Sequence, residues 1–318
     1  MPSALQARQQ THLDRASGDI TRNGSPMPEQ TWAGFEKAQA ALCVIAKDLG
    51  GACPSDLHAA NLFLFRRAHD YRLEGSNWLR GKTYDGQAHA LALSDLGQVR
   101  ADSLLHALER FDCLYPIPDP WRINIEQAFK AAHLPALTWY ASPDDADYLY
   151  PKEQFLHYQG PKLRKRKAQM MQLLARDAIH ALPITSQHRS LVLQTLERWM
   201  KQKAKEVGQT DDLSLIEALE DLDRYDLKGI LYCMKDYPLG FVITQTLNPW
   251  VEVLRFAKGD DEFPGIYPYM FHDLAKRLPQ DVRWLNFEQD MGLANFRQAK
   301  RSYSPCAMLN KWRLSLAA

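Results

Sequence analysis

The sequence predicts an α+β protein built from two successive units. Short strand candidates are interleaved with amphipathic helices along the chain. The order helix, strands, helix, strand occurs in both halves, although the halves do not align as a repeat. Between them the composition changes near residues 145–155, from the acidic loop Ser142-Pro143-Asp144-Asp145-Ala146-Asp147 to the basic run Pro161-Lys162-Leu163-Arg164-Lys165-Arg166-Lys167. The length of 318 residues suits two domains. The expected division is a mobile arm over residues 1–27, a first domain over 28–150 and a second over 151–318.

The arm is polar and carries Asn23-Gly24-Ser25-Pro26. Trp32, Phe35, Ala38, Leu42 and Ile45 fall at helical spacing, and Gly50-Gly51 and Pro54 end that helix. Asn61 to Leu73 begins apolar and then alternates, which predicts a strand. Asn77–Arg80 and Ala88–Leu93 are further strands around Asp85-Gly86, followed by a helix over Leu96–Phe111, a helix over Ile125–Ala132 and a strand over Leu137–Tyr140. Beyond the basic run, helices are expected over 168–174, 186–207 and 213–222. Strands follow over 228–234, 239–246 and 250–256, then a helix near 264–277, a strand over 282–287, a helix near 292–300 and a last strand near 306–314.

Bulk properties exclude several classes. With 46% hydrophobic and 24% charged residues the chain is an ordinary globular protein. Its formal charge of +1 leaves any attraction to polyanions to local patches. No stretch approaches the roughly 18 apolar residues of a membrane span, and Met1–Arg15 lacks a signal-peptide core. A cytoplasmic location is therefore expected, with peripheral contact to the inner membrane face as an accompanying expectation. Five scattered cysteines form no Cys-x-x-Cys, so neither a disulfide framework nor a structural zinc site is expected. The signatures of P-loop, dinucleotide, zinc-hydrolase and serine-hydrolase sites are absent, and no cofactor or metal is expected.

Three features carry candidate chemistry. In Trp250-Val251-Glu252-Val253-Leu254-Arg255-Phe256, charges three apart on an apolar strand fall on opposite faces, so one of them faces a core or a cleft unless the strand is bulged; a solvated strand end is the plainer alternative. Glu288 and Asp290 follow a strand end, where catalytic carboxylates often sit, although Asp290 also suits the N-cap of the next helix. The third feature is cationic. Lys162, Arg164, Lys165, Arg166 and Lys167 form one run, and no acid occurs from Met291 to Ala318 while Arg297, Lys300, Arg301, Lys311 and Arg313 do. Such runs contact phosphates or simply form a solvated face.

Four blocks, Leu163-Arg164-Lys165-Arg166-Lys167, Val251-Glu252-Val253-Leu254-Arg255-Phe256-Ala257, Asn286-Phe287-Glu288-Gln289-Asp290-Met291-Gly292 and Phe296-Arg297-Gln298-Ala299-Lys300-Arg301-Ser302-Tyr303-Ser304-Pro305, occur in this order. Together they resemble the phosphatidylglycerol lysyltransferase C-terminal domain family (the DUF2156 group), over roughly residues 30–314. The resemblance implies two tandem GNAT-type acyltransferase folds. It also implies transfer of an aminoacyl group from aminoacyl-tRNA to a hydroxyl or amine acceptor, either a phospholipid such as phosphatidylglycerol or a small molecule. By that resemblance Glu252, Arg255 and Lys300 occupy the positions that matter for activity, and Asp290 joins them as a catalytic candidate. Glu288, Arg297 and Tyr303 are then expected to bind substrate, with the Lys162–Lys167 run on the tRNA backbone. Two other readings compete: an acyl-coenzyme A N-acyltransferase, which needs phosphate-cradling amides at a helix start, and a non-catalytic module that binds RNA or anionic membrane. The acidic stretch Gly259-Asp260-Asp261-Glu262 suits a pyrophosphate poorly.

Overall fold

The structure, a computed structural model, describes residues 32–317; the predicted arm over 1–27 lies outside the described residues. Helix α1 (Trp32–Leu49) buries the apolar stripe that its spacing predicted. It ends at Gly50, whose φ of 54° is left-handed. Its last carbonyls are capped from the other half of the chain, where Asn248 Nδ2 donates to Ala46 O at 2.8 Å and Gly50 O at 2.9 Å.

The strand predicted from Asn61 is instead a helix, α2 (Ala59–Leu64), N-capped by His58 Nδ1 accepting from Ala60 N. All six of its residues are buried, and a short, mostly apolar segment enclosed on every side has no periodicity to separate helix from strand. Of the predicted stretch only Arg72 and Leu73 are in a strand, β1 (Arg72–Glu74). Strands β2 (Trp78–Lys82) and β3 (Ala88–Ala92), helix α3 (Ala101–Arg110), strand β4 (Leu114–Ile117), helix α4 (Asp119–Ala131) and strand β5 (Leu137–Ala141) complete the first series.

Strand β6 (Asp147–Pro151), helices α5 (Lys152–His157) and α6 (Arg164–Leu174) and strand β7 (Ile179–Pro183) lead into the second series. It runs α7 (Arg189–Gln202), α8 (Asp212–Ala218), β8 (Leu227–Met234), β9 (Tyr237–Asn248), β10 (Val251–Gly259), α9 (Ile266–Arg277), β11 (Trp284–Asn286), α10 (Ala294–Arg301) and β12 (Ala307–Leu309). Each series is thus two helices, three antiparallel strands, a helix, a parallel strand, a helix and a strand.

The two sheets exchange a strand. The last strand, β13 (Trp312–Leu316), does not extend the second sheet; it lies between β4 and β5, giving the first sheet the order β1-β2-β3-β4-β13-β5. In return β6 lies between β11 and β12, and the second sheet has the order β12-β6-β11-β10-β9-β8-β7. The single strand predicted near 306–314 is therefore two short strands in different sheets. Both sheets are mixed, with β3/β4 and β10/β11 parallel. The α+β class with helices flanking two mixed sheets is as predicted.

One apolar core is continuous from the first sheet through α1 and α2 to the face of the second sheet covered by α7 and α8. A second core, rich in aromatics (Tyr148, Phe155, Phe271, Phe287, Tyr303), fills the opposite face of the second sheet under α6 and α9.

Candidate active site

β10 and β11 pair only over Val251–Val253 and Trp284–Asn286; beyond that point they separate. On β10 the register against β9 shifts between Leu254 and Phe256, a bulge centred on Arg255. On the other side the chain leaves β11 through a tight loop in which Glu288, Met291 and Gly292 all have left-handed φ (57°, 55° and 73°). The two non-glycine residues there each store about 1 kcal/mol of strain. Asn286 fixes the loop: its Oδ1 accepts from Glu288 N at 2.7 Å while its Nδ2 donates to Asp147 Oδ2 at 3.0 Å.

The bulge turns Arg255 into this opening. Its guanidinium is buried; Nε donates to Gln245 Oε1 at 2.8 Å, Nη2 to Ser55 O at 2.8 Å and Nη1 to the Glu288 carboxylate. Lys300 reaches the same place from α10, donating from Nζ to Glu288 O at 3.2 Å and Gln289 O at 2.5 Å. Burial lowers its amine to about 8, against the opposing pull of Glu288, Asp147 and Asp290. Burial likewise raises the Glu288 carboxyl, more than Arg255 and Lys300 lower it. Arg255, Glu288 and Lys300 therefore converge, two cations on one half-buried acid.

Glu252 does not join them. It is buried on the opposite face of β10, where Thr246 Oγ1 donates to its Oε2 at 2.8 Å, and burial raises its carboxyl. Asp290 is fully enclosed: Tyr148 Oη donates at 2.6 Å, Arg297 Nε and Nη2 at 2.8 and 2.9 Å, and Gly292 N at 2.9 Å. Burial opposes its ionisation, yet the bonds from Arg297 and Tyr148 hold the carboxyl below its ordinary value. Asp290 is not the cap of α10, since Leu293 occupies that position without a side-chain bond. Tyr303 belongs to the aromatic core, 5% exposed and packed on Phe271 and Phe155.

The profile of the family described as "Phosphatidylglycerol lysyltransferase, C-terminal" matches residues 52–314. The chain belongs to this family. Among solved structures it is similar to a conserved protein of unknown function from Bacteroides thetaiotaomicron, at 21% identity and a TM-score of 0.73 over 92% of this chain and 99% of that one. It is similar also to L-PGS from Bacillus licheniformis (13% identity, TM-score 0.55, 94% of each chain) and to FemX (7%, 0.56, 92% of this chain and 97% of that one). No curated protein matches the chain. The family is described by a lysyltransferase, an acyl-transferring enzyme, and the fold is a pair of GNAT-type units.

Within that frame the acid-free tail finds its partners in the acidic loop before β6. Asp144 takes Arg297 at 2.5 Å, Asp145 takes Arg313 at 2.7 Å, and Asp147 takes Lys311 at 2.7 Å. Lys311 has no exposed surface, bonds Asp56 at 2.5 Å as well, and is held above its ordinary value because those two carboxylates outweigh burial. Sequence reasoning named neither Lys311, Asp147, Asp56 nor Ser55 as site residues. The signal available was the complementarity of a loop with three acids and a tail with none.

The two basic segments do meet. Lys162, Arg164, Lys165 and Lys167 are exposed at the start of α6, anchored by buried Leu163, while Arg166 folds back to Ser302 Oγ at 2.6 Å and over the Tyr303 ring. A depression of about 390 Å³ is lined by Lys162, Lys165, Arg166, Arg301 and Ser304. Arg164 and Lys167 line a second, of about 350 Å³, with Tyr158 and Gly160. Arg301 is the neighbour of Lys300 on α10, so the patch adjoins the opening. Among the described residues no cluster of His, Cys, Asp or Glu suits a metal, and no helix is long and apolar enough to cross a membrane.

Proposed function

We propose that the chain transfers an aminoacyl group from aminoacyl-tRNA to a hydroxyl or amine acceptor, a lipid or a small molecule, in the second unit. The observation that carries this is the convergence of Arg255, Glu288 and Lys300 where β10 and β11 part, beside an exposed basic patch. The ester is already activated, so no covalent enzyme intermediate is needed. The acceptor's oxygen or nitrogen attacks the ester carbonyl, and its proton moves toward the departing ribose oxygen beside Glu288. The Lys300 ammonium faces the oxyanion, and collapse breaks the bond to the terminal ribose oxygen, which takes the proton. Arg255 holds Glu288 in place. Lys162, Arg164, Lys165 and Arg301 grip the acceptor-stem phosphates. Asp290, Arg297 and Tyr303 act as framework in this reading, and Glu252 takes no part in the chemistry.

The acyl-coenzyme A alternative needs the N-terminus of α9 free for a pyrophosphate. That end is covered: a Cβ on Gly265 would collide with Gln169 O of α6. The preceding loop carries the buried Asp260, paired with Arg198.

The test is incubation with a mixture of charged tRNAs and total lipid extract, followed by mass spectrometry. Accelerated deacylation of one tRNA species identifies the donor. Lys300→Ala is expected to lower the rate about 10²–10³-fold, the usual effect of losing an oxyanion donor; near-normal rates would remove the proposal.

A further inference from the structure

The turn joining β2 to β3 is fastened at several points. Thr83 Oγ1 accepts from Gln87 N at 3.0 Å. Arg313, from the exchanged strand, donates to Asp85 Oδ2 at 2.8 Å and Gln87 Oε1 at 2.6 Å. His69 bonds Lys82 O at 2.8 Å. At the tip stands Tyr84, 42% exposed, its ring edge-to-face with His69 at 4.5 Å between centroids. Its hydroxyl end is turned inward toward Gln289, the residue after Glu288, while part of the ring stays open; enclosure of the hydroxyl and the Glu288 and Asp56 charges push its ionisation above the ordinary value. A rigid hairpin of the first unit thus delivers one aromatic side chain to the cleft of the second.

Glu288 has one oxygen committed, Oε1 to Arg255. Among the described residues no donor bonds Oε2, and the side chain is 20% exposed. A carboxylate oxygen beside a partly open aromatic ring is the chemistry that recognises an ammonium group. Every aminoacyl ester carries one in its α-amino group.

We infer that Tyr84 and Glu288 together hold the α-ammonium of the aminoacyl group, Tyr84 through its ring and Glu288 through Oε2, with the ester carbonyl turned toward Lys300. This rests on the aminoacyl-transfer reading and adds to it a substrate contact from the first unit. The site selects for a free amine next to the ester, whatever the amino-acid side chain.

The experiment compares kcat/KM for a tRNA species that the wild-type protein deacylates with that for the same species N-acetylated on the amino acid. Wild type is expected to favour the free amine at least tenfold. Tyr84→Leu is expected to cut that preference roughly 3- to 30-fold, the range of one cation–π contact. Tyr84→Phe keeps the ring and is expected to retain the preference. Lys300→Ala serves as the control, lowering both substrates alike. An unchanged ratio in Tyr84→Leu, or an equal loss on both substrates with circular dichroism and melting temperature intact, overturns the inference. If wild type deacylates no charged tRNA, the transfer reading fails and this one with it; a wild type that transfers but ignores N-acetylation sinks the ammonium site alone.

Discussion

Lys300 is a residue whose proposed role and stability pull in opposite directions. Its amine titrates at 10.5 in an unfolded chain and at about 8 in the fold, so the folded chain binds the proton less well. Stability therefore rises as pH climbs from about 8 to 10.5, and below 8 the charged site costs up to roughly 3 kcal/mol. Lys300→Met is expected to be at least as stable as wild type at pH 7 in denaturant titration, and to be nearly inactive. In the proposed mechanism the cation is the working form, so the rate is expected to fall as pH rises through about 8, and a pH–rate profile of Lys300→Arg should lose that limb. Asp290 behaves in the opposite sense. Its carboxyl is held below 3.8, so its contribution is present at neutral pH and lost as pH falls through that low value. Asp290→Ala leaves Arg297 without its buried partner and is expected to cost about 2–4 kcal/mol in urea titration, reduced because Arg297 keeps some solvent. Arg255, Glu288 and Lys300 were legible in the blocks that carry the family resemblance. The separation of Glu252 from Arg255 was half legible, since a period of two already puts positions 252 and 255 on opposite faces; the bulge at Arg255 leaves no mark in the residue pattern.

Helices α6 and α10 act together, because Arg166 ties the start of one to the end of the other. Replacing Lys162, Lys165 and Arg301 with alanine is expected to weaken all tRNA species alike. The slope of log affinity against log salt should fall by about 0.7–0.9 for each phosphate no longer gripped, measured by filter binding at several ionic strengths. The helices with a clear apolar stripe, such as α1 and α9, could be placed from sequence because periodicity marks them. The segment Ala59–Leu64 could not, being buried on every side, and β4, interrupted by Pro116, gave no strand pattern. β6 was hidden for another reason: it lies where the composition changes, so it resembled a boundary and not an element of the second sheet.

At the scale of the molecule, the exchange of β6 and β13 joins the two units by an inner strand of each sheet, one place from its edge. Lys311 precedes one exchanged strand and Asp147 begins the other, so their buried pair sits where the strands cross. Lys311→Met strands Asp56 and Asp147 without a cation and is expected to cost about 3–5 kcal/mol. Fluorescence from both units is expected to melt in one transition, because each sheet loses an inner strand, and the edge strand paired to it, if the other opens. Fragments 32–141 and 142–317, produced apart, are expected to be unfolded by circular dichroism and to recover structure on mixing. The repeated order of elements was readable in the sequence, whereas the exchange was not, since both candidate partners of a strand have the same alternating pattern.

The exchange also dictates a schedule for the ribosome. Among the described residues β5 pairs with β13 alone, and β13 is specified some 170 residues later. At about 5–20 residues per second the first unit waits roughly 10–35 s with β4 and β5 unjoined, offering two bare edges to whatever passes. Slowing translation between codons 142 and 311 should therefore lower soluble yield and raise dependence on holding chaperones, while leaving the finished protein unchanged.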